Sequence, residues 1–381
     1  MTLSELRKAF PHTEDSVYMN HAAMSPLSRP VMAALEAYLH ERHRTNIENY
    51  FEFFAVIDET LARLARLIGT RPERVEFAPN TSYGLNVLAQ GLDWRPGDRV
   101  AVPACEFPAN VFPFVNLERR GVAVDFIPHE EGTFSLEAVE AVLTPRTRVL
   151  TVSSVQFLSG FRADLEALGA LCRAHDVLFC VDGIQSLGAL RLDVEACGID
   201  FLASGGHKWL MATTGIGFVY VAEELQERLT PAAGWLHGPV DWERLTEYEL
   251  TFHPDARRFR VGTMNHAGIA ALHAALGLQS EAGAEWCEAQ TLDRARALAE
   301  GLARLGLRRY GSEDPARASG IVTVAHPDVE GLFEHLRQRG VAAALRNRLL
   351  RFSPTYYNSP EEVEAALEAV ADFGKVRVPS A

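Results

Sequence analysis

Between residues 75 and 221 the chain alternates short β-type apolar runs with amphipathic stretches of helical spacing. The strand-like runs fall at 75–77, 99–102, 122–126, 149–152, 177–181, 201–203 and 215–221. Among the stretches between them, residues 165–175 place Leu165, Leu168, Leu171 and Cys172 on one helical face. Strands that alternate with helices in this way predict βαβ units around a mostly parallel sheet covered on both faces.

The pattern changes near Gly262-Thr263-Met264-Asn265. Helices are expected at about 267–280 and 286–305, a strand at 320–325, a helix at 329–339, a strand near 350–352 and a last helix at 360–373. That last helix has its start signals in place: Ser359 as cap, Pro360 at the first position, and Glu361 and Glu362 in the first turn. The expected organisation is an N-terminal arm over 1–16, a large α/β domain over 17–262 and a small α+β domain over 263–381.

Composition supports two domains. The 381 residues are 48% hydrophobic and 23% charged, more chain than one core usually holds. A formal net charge of −13 argues against nucleic acid and against an anionic membrane surface as partners. The most basic stretch, Arg346-Asn347-Arg348-Leu349-Leu350-Arg351, is too short to argue for DNA. Neither a signal peptide nor a bilayer-spanning apolar run is read. The five cysteines are scattered without CxxC spacing, which points to a reducing, cytoplasmic setting and away from disulfides or structural zinc. His40 and His43 read as a solvated helix face among Glu41, Arg42 and Arg44, so no metal site is expected.

Four places carry candidate chemistry. The strand at 177–181 runs into Asp182-Gly183-Ile184-Gln185, at the carboxyl end where open α/β sheets bind ligands. Asp182 suits a cationic ring nitrogen, or else simply caps the following turn. The strand at 201–203 ends in Ser204-Gly205-Gly206-His207-Lys208, small residues and then a lysine. In a confined site such an amine loses its proton readily and becomes a nucleophile. Thr81 and Ser82 open a helix, as an anion site or as plain N-caps. Phe107, after Glu106, suits a ring to be stacked or a place in the core.

Taken in order, these pieces resemble the class V aminotransferase family, the fold-type I pyridoxal 5′-phosphate (PLP) enzymes that include cysteine desulfurases, kynureninase and isopenicillin N epimerase. The likeness extends to Asn20-His21-Ala22-Ala23 with Ser25-Pro26, to Arg258-Phe259-Arg260-Val261-Gly262-Thr263-Met264-Asn265, and to Arg351-Phe352-Ser353 with Tyr357-Asn358 and Glu361-Glu362-Val363. It implies a large domain with a mostly parallel seven-stranded sheet, a smaller α+β C-terminal domain, and a homodimer with the cofactor site at its interface. By the same resemblance Lys208 would hold PLP as a Schiff base and shuttle the substrate α-proton. Asp182 would pair with the pyridinium nitrogen and Gln185 with the ring oxygen. Thr81, Ser82, His207 and Ser204 would hold the phosphate, with Thr263 reaching it across the dimer. Phe107 would stack on the ring, Arg351 would bind the substrate carboxylate, and Asn20 and His21 would line the substrate side.

Departures from the family pattern narrow the activity. Phe107 stands where desulfurases carry histidine, and no cysteine follows Cys287, so the loop thiol that forms a persulfide is missing. The asparagine expected at Ser154 is absent, and Gln156 is the candidate replacement toward the ring. The expected activity is that of an aminotransferase on an α-amino acid. A C–S or C–C lyase or an epimerase comes next, then a desulfurase, and last a non-catalytic binding relative. Gly215-Ile216-Gly217 is no dinucleotide fingerprint, because a strand follows it. Trp235, His237 and Trp242 are placed at the mouth of the site or in a structural loop, and His253 and His266 receive no role.

Overall fold

The protein is described by a computed structural model covering residues 1–376. After a short strand, β1 (Val17–Tyr18), come helices α1 (Arg29–His40) and α2 (Phe54–Leu67). Then follow β2 (Val75–Ala78), α3 (Thr81–Gly91), β3 (Arg99–Pro103), β4 (Ala123–Ile127), β5 (Thr147–Ser153), α4 (Leu165–Ala174), β6 (Leu178–Asp182), β7 (Phe201–Gly205) and β8 (Gly217–Val221). The remainder holds α5 (His266–Ala282), α6 (Ala284–Arg304), β9 (Arg308–Arg309), β10 (Val322–Ala325), α7 (Val329–Gln338), β11 (Val341–Ala342), β12 (Ala344–Arg346), β13 (Leu349–Phe352) and α8 (Pro360–Val376).

Seven strands form one sheet in the order β2-β8-β7-β6-β5-β3-β4. It is the mostly parallel sheet that the apolar runs predict, with β8 antiparallel to both of its neighbours. Strands β6, β7 and β8 are buried along their whole length. That is why their sequences read as continuous rather than alternating hydrophobic runs. The chain leaves β3 toward β4 on one side and returns to build β5, β6 and β7 on the other. The carboxyl ends of β3 and β5 therefore flank a topological switch point, where such sheets form their ligand crevice.

Helix α3 lies close on this sheet because Gly84 has no side chain. A Cβ there would come within 2.8 Å of Ala203 Cβ in β7 and of Val219 Cγ1 in β8. The close approach carries the amino end of α3 to the same edge as the ends of β6 and β7.

A second core joins α6, α7 and α8 to an antiparallel sheet of order β12-β13-β10-β9. Met19 belongs to this core and β1 pairs with β11, so residues just beyond the expected arm serve the smaller unit. Helix α5 lies beyond the boundary that the pattern change suggests at 262, yet Ile269, Ala271, Leu272, Ala275 and Leu276 are buried in the large core. The two cores divide after α5. No helix among the described residues is long and apolar enough to cross a membrane.

Candidate active site

The crevice at the carboxyl ends of the sheet opens into a cavity of about 320 Å³. Thr81, Ser82, Phe107, Asp182, Gln185, His207, Lys208 and Arg351 all line it. The sheet explains the convergence: Asp182 ends β6 directly opposite Ala203 in β7, and Lys208 follows three residues beyond the end of β7.

Lys208 is enclosed, and burial pushes its ammonium down to about 8 from the ordinary lysine range. The Asp182 carboxylate works against that shift, while the Arg351 and Arg346 charges add to it. Asp182 is 2% exposed and raised to about 7, first by burial and then by Glu106, while the Ile184 N–H and Lys208 pull it down. The Ile184 N–H donates to Asp182 Oδ1 at 2.9 Å. The Phe107 ring centroid is 5.7 Å from Lys208 Nζ, and Phe107 meets Phe157 edge-on at 5.2 Å.

At the amino end of α3 the cap is Asn80, whose Oδ1 accepts from the Tyr83 N–H at 2.8 Å. The hydroxyls of Thr81 and Ser82 are therefore not spent on capping. Thr81 Oγ1 is buried without a hydrogen-bond partner among the described residues. An orphaned hydroxyl at a helix amino end facing a cavity fits a phosphate group. Arg351, on β13, is 3% exposed; its Nη1 donates to the Phe157 carbonyl at 2.6 Å and its Nε has no hydrogen-bond partner among the described residues. Burial, and then Arg346, lower its pKa to about 10. An unsatisfied guanidinium edge in the cavity fits a carboxylate. The donor set thus matches a phosphorylated cationic ring and an amino acid bound together.

Other expected residues fall elsewhere. His21 is wholly buried; Nδ1 faces the Ser353 carbonyl at 2.8 Å and Nε2 the Tyr357 hydroxyl at 2.6 Å. Burial lowers its pKa to about 3, so it stands as a neutral ring tying the N-terminal motif to the small domain rather than a cavity wall. Asn20 pairs with Ser353 in an isolated bridge. Gln156 is buried with Nε2 donating to Glu106 Oε1 at 2.6 Å, and does not line the cavity. Ser204 is buried beside Gly205, its hydroxyl toward the Gly205 carbonyl at 3.4 Å. Thr263 is exposed and outside the cavity. Gln185 faces the cavity, with Nε2 donating to the Ala22 carbonyl at 3.1 Å and Oε1 accepting from Trp209 Nε1 at 3.0 Å. Trp235 and Trp242 pack edge-on at 6.0 Å outside the cavity.

Three residues enter that pattern reading did not single out. Phe157 and Arg346 line the cavity. Glu106 lies buried behind Phe107, accepting from the Ser153 N–H at 2.6 Å, from the Ser153 hydroxyl and from Gln156, and burial raises its pKa. The alternation of Arg346 with Arg351 across a tight hairpin is the sequence signal for the first arginine.

With this geometry the chain was compared with known proteins. The model of the family described as aminotransferase class-V matches residues 17–365. A probable cysteine desulfurase of Pyrococcus abyssi is 28% identical over 97% of this chain and 97% of that protein. An uncharacterized aminotransferase of Bacillus subtilis, YcbU, is 26% identical over 96% of this chain and 97% of that one. Among solved structures, the apo cysteine desulfurase of Thermococcus onnurineus NA1 superposes with a TM-score of 0.89 at 26% identity, covering 98% of each chain.

Proposed function

The chain belongs to the class-V aminotransferase family, whose cofactor is PLP, and we propose that it removes the Cα proton of an α-amino acid and carries out transamination. The observation that supports this most is that Lys208 and Asp182 line one cavity at the ends of neighbouring strands, where burial lowers the amine to about 8. When bound, PLP supplies an electron sink for the Cα electrons.

Asp182 would hold the protonated ring nitrogen, since its buried carboxylate makes a cation beside it favourable. Thr81, Ser82 and His207 would hold the phosphate at the amino end of α3. Phe107 would offer its face to the ring. Arg351 orients the substrate carboxylate through its two-pronged edge, which aims the Cα–H bond at Lys208. Lys208 would supply the nucleophilic amine that holds the cofactor, and would hold the Cα proton.

A desulfurase-type persulfide is disfavoured by the hairpin between Arg346 and Arg351. Only Asn347-Arg348-Leu349-Leu350 separates them, and Asn347 and Arg348 form a tight turn with φ of 48° and 60°. There is no loop here to carry a thiol to the substrate. A second reading is elimination at a C–S bond, which needs no enzyme thiol. It is the activity named for a solved cystine C-S lyase whose fold this chain shares with a TM-score of 0.88.

The deciding experiment mixes PLP-loaded enzyme with a panel of amino acids. Release of a 2-oxo acid with conversion of the cofactor to its pyridoxamine form supports transamination. Sulfide and pyruvate without that conversion replace it with elimination. No reaction with any amino acid overturns the reading.

A further inference from the structure

We infer that this active site selects an α-amino acid whose side chain ends in a carboxylate, with Arg346 as the residue that recognises the distal charge. The inference rests on the proposed amino-acid chemistry and names its substrate class.

The first support is register. Across the antiparallel β12–β13 pair, Ala344 stands opposite Arg351 and Arg346 opposite Leu349. Side chains alternate along a strand, so Arg346, two places from Ala344, emerges on the same face as Arg351. Such diagonal neighbours have their attachment points roughly 7–8 Å apart. Both side chains line the same cavity as Lys208. The two-residue turn between the strands fixes this spacing, because neither arginine sits on a long mobile loop.

The second support is the charge left over. The cavity is lined by Lys208, His207, Arg346 and Arg351, against Asp182 as the single carboxylate in its wall. Each of these groups except Arg346 has a destination in the proposed chemistry: Asp182 the ring nitrogen, His207 the phosphate, Arg351 the α-carboxylate, Lys208 the Cα proton. Arg346 donates from Nη1 to its own neighbour's carbonyl, Leu345 O, at 2.8 Å. Arg346 is exposed at the cavity, and among the described residues no carboxylate reaches it. Its charge is felt at both Lys208 and Arg351.

The third support is the rest of the wall. Phe107, Phe157, Ala109 and Ile184 offer no polar side-chain group to a substrate, and Asn80, Thr81, Ser82 and Gln185 carry no charge. A charged substrate tail therefore has Arg346 as its cationic partner. A distal carboxylate there would gain charge-assisted, two-pronged hydrogen bonds that a distal amide cannot make.

The test compares kcat/KM on PLP-loaded enzyme for aspartate with asparagine, and for glutamate with glutamine, following 2-oxo acid or pyruvate release. The expected result is a preference for at least one acid over its amide of about 30-fold, the worth of one strong charge-assisted contact. In Arg346→Gln that ratio falls to near one, while Arg346→Lys keeps part of it. The visible absorbance of bound PLP reports that each variant is folded and loaded. Equal ratios in parent and Arg346→Gln overturn the inference, as does a parent that prefers the amides. If Arg346→Gln lowers acid and amide alike, Arg346 shares the α-carboxylate with Arg351 and the inference fails. If no amino acid reacts, the failure belongs to the proposed function.

Discussion

Asp182 and Lys208 stand at the carboxyl ends of neighbouring parallel strands, and each stabilises the other's charge inside a buried cavity. Removing the carboxylate should therefore disable the amine's partner chemistry without disturbing the sheet. Asp182→Asn is expected to lower the rate of amino-acid turnover by roughly a hundredfold or more, the scale of breaking a buried charge pair. The same variant should change stability in the other direction. In the cofactor-free protein the Asp182 carboxyl is raised above its unfolded value, so its contribution is full at low pH and is lost as pH rises through about 7. Asparagine carries no such loss. The melting temperature of cofactor-free Asp182→Asn should thus fall less between pH 6 and 8.5 than that of the parent; parallel curves would refute the buried-charge account.

Lys208 gives a kinetic pH dependence with a defined sign. Only the neutral amine attacks an aldehyde, and burial lowers the amine to about 8. The rate at which cofactor-free protein captures PLP should rise about tenfold per pH unit below 8 and level off above it. Stopped-flow absorbance across pH 6 to 10 measures this. A rise centred near the ordinary lysine value would mean that the amine is solvated, contrary to its position in the cavity. Lys208→Ala should show no pH-dependent capture at all.

Arg351 separates substrate binding from cofactor binding. Its Nη1 is held by the Phe157 carbonyl and its Nε is free, so the guanidinium is fixed in place before substrate arrives. Arg351→Gln is expected to cost about a hundredfold in kcat/KM for every amino acid, from the lost two-pronged contact. The absorbance and affinity of bound PLP should stay within about twofold of the parent in a titration, since Arg351 comes from β13 of the small domain and Thr81 and His207 from the large sheet. A matching loss of cofactor affinity would place Arg351 at the phosphate instead.

The parts of the site legible in the sequence are those that sit where a strand stops. Asp182 ends β6, and Thr81, Phe107 and Lys208 follow their strands by only three or four residues, in the short segments that leave the sheet at the crevice. Arg346 was hidden because its role depends on pairing: only the hairpin register puts it on one face with Arg351. Gln156 lies as close to its strand as Thr81 and Lys208 do to theirs, but the buried Glu106 captures its amide and turns it away from the cavity. Helix α5 packs into the large core although the elements that follow it build the small one. Its residues are buried on nearly every side, from His266 and Gly268 to Leu278 and Gln279. A helix without a polar face belongs inside the larger body, and that signal was available in the run His266-Ala267-Gly268-Ile269-Ala270-Ala271-Leu272.

The cysteines supply the sharpest test of what the enzyme does to sulfur. A persulfide-forming enzyme needs a thiolate that reaches the substrate. Cys105, Cys172 and Cys287 are each pushed up to about 12 and Cys197 to about 11, chiefly by burial, and Cys180 is raised further still. Near neutral pH all five stay protonated, and none lines the cavity. Cys105 comes nearest in sequence, one residue before Glu106, and the Glu106 carboxyl raises it as well. Replacing Cys105 by Ser, singly, and treating the native enzyme with iodoacetamide at pH 7.5 should each leave amino-acid turnover within about twofold of the untreated enzyme. Mass spectrometry after incubation with cysteine should find no 32-dalton adduct on the chain, the mass of one sulfur atom. An adduct on any of the five cysteines would restore the desulfurase reading.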